Sequence, residues 1–121
     1  MKLLVATKNK GKLREISSLF ASQGIEVVGL DSLAAAPGVL EDGDRFTANA
    51  RKRALEVAKL ANCRTLAEDS GLVVPALDGA PGIFSARYAG EDATDRQNNL
   101  KLLGELTALS PDKRQAYFCC V

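Results

Sequence analysis

An α/β fold is the reading that this sequence supports, and three observations carry it. Short apolar runs of strand length alternate with amphipathic stretches of helical period along the whole chain. Gly, Pro and capping signals punctuate the alternation at Gly24, across 31–44, at 78–82 and at Thr94. The composition is that of an ordinary globular domain: 121 residues, 46% hydrophobic and 26% charged. A chain of that size can bury roughly two-thirds of its unfolded surface, enough for a real core without staples.

The elements follow in order. Leu3 to Ala6 is a short buried strand, and Thr7 to Lys12 a polar turn. A helix follows with Leu13, Ile16, Leu19 and Phe20 on one face and Gly24 as its stop. Ile25 to Leu30 is a second strand, and 31–44 a loop rich in Ala, Gly, Pro and acidic residues. A helix from Arg45 to Ala61 takes Asp44 as its expected N-cap. Thr65 to Ala67 and Leu72 to Val74 are short strands around Glu68-Asp69-Ser70-Gly71. Asp78 to Gly82 is a loop. Thr94 and Gln97 form a capping box for a helix through Leu106, with Pro111 beyond it. Ala116, Phe118 and Cys120 alternate with Tyr117, Cys119 and Val121 as in a strand. No repeat, linker or low-complexity run interrupts this order.

Bulk properties exclude several classes. The formal net charge of +1 gives no basic field for a nucleic-acid polymer, so any anion site is local. The sequence has no histidine, which removes Ser-His-Asp and Cys-His mechanisms and most zinc ligand sets. Chemistry here must run on carboxylates, lysines, hydroxyls or a hard metal. Cys63, Cys119 and Cys120 form no C-x-x-C pair, and the odd count fits a reducing cytoplasm. The apolar run after Met1 is too short for a signal peptide or a membrane span.

Three stretches can carry chemistry. Thr7-Lys8-Asn9-Lys10-Gly11-Lys12 joins a buried strand to a helix start, where backbone N–H groups favour an anion. Its lysines and hydroxyl crowd one turn, and Gly11 permits close backbone approach; the plainer alternative is a solvated, capped turn. On the second helix, with Phe46 at zero and a step of about 100° per residue, Ala50, Ala54, Val57 and Ala61 fall on one buried stripe. Asn49 and Arg53 fall on or beside that stripe, while Arg51 and Lys52 face solvent. An inward arginine requires an anion, either a phosphate or a structural carboxylate. The third stretch, Glu68-Asp69-Ser70-Gly71, follows a strand, where open α/β sheets bind ligands. With the acidic loop Glu41-Asp42-Gly43-Asp44 it offers hard oxygen donors of the kind magnesium uses, or else it is an acidic surface turn.

These stretches resemble the inosine/xanthosine triphosphate pyrophosphatase family. The resemblance rests on Ala6 to Lys12, on Phe46-Thr47-Ala48-Asn49-Ala50, on Ala67-Glu68-Asp69-Ser70-Gly71-Leu72, and on Leu77 through Gly79-Ala80-Pro81-Gly82-Ile83 to Ser85-Ala86-Arg87-Tyr88. It covers essentially the whole chain, and the combination and order are highly specific. It implies hydrolysis of a purine nucleoside triphosphate (ITP, dITP or XTP) to the monophosphate and pyrophosphate. It further implies that Thr7, Asn9 and Lys12 hold the phosphates, that Glu41 and Asp69 bind Mg2+, that Asp69 accepts a proton, and that Ser70 touches the substrate. The family works as a homodimer on a long mixed sheet flanked by helices, with two lobes and a cleft between them. Arg53 stands where the family usually has lysine, and Arg45 where it usually has threonine.

Residues 1–121 are therefore expected to be the phosphate- and metal-binding N-terminal part of one such domain, with the second lobe and its base-recognition segments largely missing. The leading expectation is a cytoplasmic hydrolase that uses Mg2+ and pairs as a homodimer. The alternative is a truncated, non-catalytic nucleotide-binding module.

Overall fold

The computed structural model describes residues 1–121 and divides them into two compact units, 1–68 and 69–121. In the first unit, strand β1 (Lys2–Val5) leads into helix α1 (Lys10–Phe20), strand β2 (Glu26–Val28), helix α2 (Phe46–Ala61) and strand β3 (Thr65–Leu66). Both β2 and β3 lie parallel to β1, so β1 is central in the order β2-β1-β3. A parallel sheet is covered by the helices that connect its strands, and its central strand is apolar on both faces. Leu4, Val5 and Ala6 are accordingly sealed from solvent. Leu4, Ala6, Leu30 and Val57 form the core cluster, and full burial of each larger side chain contributes roughly 1.5–3 kcal/mol.

Local sequence explains the helix limits. Asn9 caps α1, its Oδ1 accepting from the amides of Gly11 and Lys12. The helix stops at Phe20, and Gly24 takes the left-handed conformation that closes the following turn. Along α2 the stripe falls as its period requires: Ala50 and Val57 are buried, with Phe46, Ala54 and Ala61 partly so.

The second unit pairs β4 (Ser70–Val73) with β5 (Tyr117–Cys120) in an antiparallel ladder. Between them lie a 3-10 helix over Gly82–Arg87 and helix α3 (Asp95–Leu106). The Thr94/Gln97 capping box forms as the sequence requires. The Ala80–Pro81 peptide is cis.

The α/β class and the helix-flanked sheet are as expected, with the parallel and antiparallel pairings in two separate sheets. Four local expectations need correction. Arg45, not Asp44, occupies the N-cap position of α2, and its side chain makes no cap bond; the Asp44 carboxylate is turned onto the Arg45 guanidinium instead. Lys52 does not simply face solvent but holds Asp42 at 2.8 Å. Ser70 and Gly71 belong to β4 rather than to a turn, because they pair with Cys120 and Cys119. Leu19 is 70% exposed, whereas Leu13, Ile16 and Phe20 of α1 are half-buried.

Candidate phosphate and metal site

The strand order of the first unit places a site before any side chain is considered. The chain runs from β1 to β2 on one side, then crosses to β3 on the other. Strand order reverses at the carboxyl end of β1, the position at which open α/β sheets bind ligands. The residues delivered there are Thr7 to Lys12 from β1 and Ala67-Glu68 from β3.

The turn is internally braced. Thr7 is buried and its Oγ1 accepts from the Asn9 amide at 3.1 Å. Asn9 Oδ1 takes the Gly11 and Lys12 amides. This narrows what the turn can offer an anion. The two amides at the helix start serve the cap, so the amides of Lys8 and Lys10, the Asn9 side-chain NH2 and the lysine ammonium groups are the remaining donors. Lys8 and Lys10 are exposed, whereas Lys12 folds back to Glu68, Nζ to Oε1 2.6 Å.

Arg53 is the inward arginine its helical phase requires. Its Nη1 donates to the Glu68 carbonyl at 2.8 Å, and its Nη2 pairs with Glu41. Both partners are about four-fifths buried, with side chains 20% and 19% exposed. The inward cation thus meets a carboxylate, one of the two anions that its position allowed. The acidic loop is fastened to α2 at three successive residues: Glu41 to Arg53, Asp42 to Lys52, and the Gly43 amide to Asn49 Oδ1 at 2.8 Å. Gly43 must be glycine here, since a Cβ would lie 2.6 Å from Asn49 Oδ1 and 2.9 Å from the Ala48 methyl. The Lys52 ammonium holds the exposed Asp42 carboxyl below its ordinary range.

In the second unit, Asp69 is buried at 8% exposure, and its backbone exchanges both hydrogen bonds with Val121. Its Oδ2 is buried without a hydrogen-bond partner. Ser70, next along β4, lines a cavity of about 410 Å³ with Leu72, Tyr88, Asn98 and Phe118. Beside it, Ser85 Oγ accepts from the Leu72 amide and donates to the Gly82 carbonyl, fixing the 3-10 segment on β4. Asn98 bridges the Ala86 carbonyl and the Ala89 amide.

Each unit, taken by itself, holds an oxygen donor that suits a hard divalent cation. A buried carboxylate oxygen with no donor is costly unless a cation or proton meets it, and Asp69 Oδ2 is such an atom. Glu41 is a largely buried oxygen donor. The structure gathers no group of three or more His, Cys, Asp and Glu, but magnesium takes one or two carboxylates together with phosphate and water oxygens.

Sequence reasoning left Asn49, Ser85 and Asn98 without roles. Asn49 had a readable signal, a polar residue on an apolar helical stripe. Ser85 and Asn98 had none, because each is defined by backbone groups that only the folded loop brings near.

Comparison with known proteins places these residues in a lineage. The Ham1 family model matches residues 3–121. The dITP/XTP pyrophosphatase of Geobacter sulfurreducens is 48% identical over 98% of this chain and 60% of its own length. That of Syntrophobacter fumaroxidans is 50% identical over 98% of this chain and 50% of its own. A solved HAM1 protein from Coxiella burnetii superposes with a TM-score of 0.91 at 37% identity, covering 100% of this chain and 61% of that one. The Ham1 protein of Staphylococcus aureus gives 0.85 at 38%, covering 99% and 60%. The chain therefore spans about half to three-fifths of the length of these relatives. On the family match over 3–121, the chain belongs to the Ham1 family.

Proposed function

We propose that this chain carries the phosphate- and metal-binding part of a pyrophosphatase that converts non-standard purine nucleoside triphosphates (ITP, dITP or XTP) to the monophosphate and pyrophosphate. The observation that carries the reading is the braced turn Thr7 to Lys12 at the carboxyl end of the central strand, with Arg53 aimed inward beside Glu68. The names of the curated relatives supply the substrate class.

The roles follow from the chemistry of each group. Lys8, Lys10, Lys12 and Arg53 offset negative charge on the triphosphate, most strongly as charge builds in the transition state. The Asn9 side chain, with its oxygen held by the cap, directs its NH2 as a donor to phosphate. Gly11 leaves the turn open to close approach. Ser70 contacts the substrate, and Asp69 accepts the proton of the attacking water. Glu41 and Asp69 would hold Mg2+, which supplies Lewis-acid stabilisation and a more acidic water when bound. We place the enzyme in the cytoplasm as a homodimer, in keeping with three cysteines that form no disulfide. No helix is long and apolar enough to cross a membrane.

The test is pyrophosphate release from inosine triphosphate, with and without magnesium, using the chain and a form extended to the length of its relatives. Magnesium-dependent release by the extended form is expected. Binding without turnover by both forms would favour a nucleotide-binding module, a reading that the internal pairing of Lys12 and Arg53 with carboxylates also fits.

A further inference from the structure

Of the four cations assigned above to phosphate, Lys12 and Arg53 are already neutralised inside the first unit. Lys12 sits on Glu68 and Arg53 on Glu41. The two pairs are linked, because the backbone carbonyl of Glu68 also receives Arg53 Nη1. Glu68 thus touches both cations, one through its carboxylate and one through its backbone. None of these side chains is more than 35% exposed, so the pairs are not loose surface contacts.

We propose that Glu68 and Glu41 are internal counter-ions that stand in for phosphate: a triphosphate displaces Glu68 from Lys12 and Glu41 from Arg53, and the displacement releases Glu41 to face a cation. This rests on the phosphate role proposed for Lys12 and Arg53. A carboxylate and a phosphate oxygen present the same acceptor to an ammonium or a guanidinium, so either satisfies the cation and the two compete. Two partly buried cations without anions would be costly; the counter-ions remove that cost while the site waits. The consequence is a reduced apparent affinity, since a ligand binds only the fraction of molecules whose cations are open to it. A second consequence is coupling. Phosphate on Arg53 leaves Glu41 a carboxylate without its guanidinium, the form that binds a hard cation, and the coupling is reciprocal.

Glu68 has two separable functions in this scheme. Its carbonyl keeps Arg53 aimed in either state, because a backbone acceptor is unaffected by the exchange. Its carboxylate is the part that must leave. Glu68→Gln removes the competitor and keeps the aim.

The experiment measures binding of inorganic tripolyphosphate to the 121-residue chain in chelator-treated buffer by calorimetry, so turnover and metal play no part. Glu68→Gln is expected to bind roughly threefold to fivefold tighter than the parent, the scale of a partly exposed ion pair. Glu41→Gln, which relaxes the more buried pair, is expected to gain on the order of tenfold. Asp42→Asn is the control, removing one negative charge from the same loop but a charge paired with Lys52. A gain from Asp42→Asn equal to the others would show a general field effect and overturn the proposal. Unchanged or weaker binding by both Glu variants would also overturn it. A second readout uses the parent alone: the Arg53 guanidinium NMR signal must shift as tripolyphosphate is added, and a stationary signal at saturation rules the exchange out. If the parent and all variants fail to bind tripolyphosphate, the phosphate assignment falls as well. If the parent binds and the Glu variants bind no tighter, only the exchange falls.

Discussion

The two units of this chain are stabilised by different means. The first buries Leu4, Val5, Ala6, Leu30, Ala50 and Val57, whereas the second buries Val74, Pro81 and Leu102. Both units use side-chain hydrogen bonds to backbone, and with less apolar burial the second leans on them more: Ser85 to Leu72 and Gly82, Asn98 to Ala86 and Ala89, Lys101 to the Tyr88 carbonyl. Its β5 strand leaves Phe118 82% exposed. Apolar burial is non-directional and tolerates adjustment, while a hydrogen-bonded loop depends on geometry residue by residue. Damage to the first unit should therefore scale with the volume removed, and damage to the second with the donors and acceptors orphaned.

The strongest consequence concerns Asp69, the first residue of the second unit. Asp69→Asn should lower magnesium-dependent turnover of the extended form by about 10²- to 10⁴-fold, the usual worth of a general base. Melting temperature should hold or rise, because a buried oxygen without a donor is replaced by a neutral amide. Turnover within a few-fold of the parent would remove Asp69 from the chemistry.

Leu4→Ala tests the first unit's dependence on volume. A cost of about 2–5 kcal/mol in denaturant unfolding is expected for a fully enclosed leucine. Hydrogen exchange should find the β1 amides slowest in the chain and those of β5 among the faster. The reverse order would contradict the division between an apolar and a polar unit.

Asn98→Ala tests the second unit's dependence on polar geometry. It orphans the Ala86 carbonyl and the Ala89 amide together, so a loss of roughly 1–3 kcal/mol is expected although little apolar volume goes. Asn98→Leu, which restores volume but not hydrogen bonds, should fail to rescue stability; full rescue would mean that packing dominates here too.

A subtler effect lies in alkali. Burial, reinforced by its hydrogen bond to the Glu105 carboxylate, pushes the Tyr88 hydroxyl up to about 12 from 10.0. A folded pKa raised above the unfolded one means that this contribution is fully present below pH 10 and fades as pH rises through about 12. Stability of the parent should fall across that window, and Tyr88→Phe should flatten the fall. Equal slopes would place the alkaline sensitivity elsewhere.

The slightest change expected is at Lys52, one residue from Arg53 on α2. Arg53→Ala should weaken tripolyphosphate binding clearly, while Lys52→Ala, whose partner Asp42 is solvent-exposed, should leave it within scatter of the parent. Equal losses would mean that the two residues share one role.

The α/β class, the order of elements, the capping box at Thr94, the buried stripe of α2 and the inward phase of Arg53 were all legible in the sequence. Each depends on spacing along one segment, and helical or strand period turns spacing directly into facing. Spacing also marked the Thr7 to Lys12 turn as a strand-to-helix junction, but not that Asn9 would take two of its amides for the cap. Tertiary structure set the pairings: which anion meets Arg53, that Lys12 returns to Glu68, that Gly43 must lie against Asn49, and that Ser85 and Asn98 tie their loop to backbone groups. Glu41 and Arg53 lie apart in sequence, as do Lys12 and Glu68. The Lys12–Glu68 meeting depends on the β2-β1-β3 order that sets the ends of β1 and β3 side by side, the Glu41–Arg53 meeting on the loop folding onto α2, and no local period encodes a partner that arrives from elsewhere in the chain.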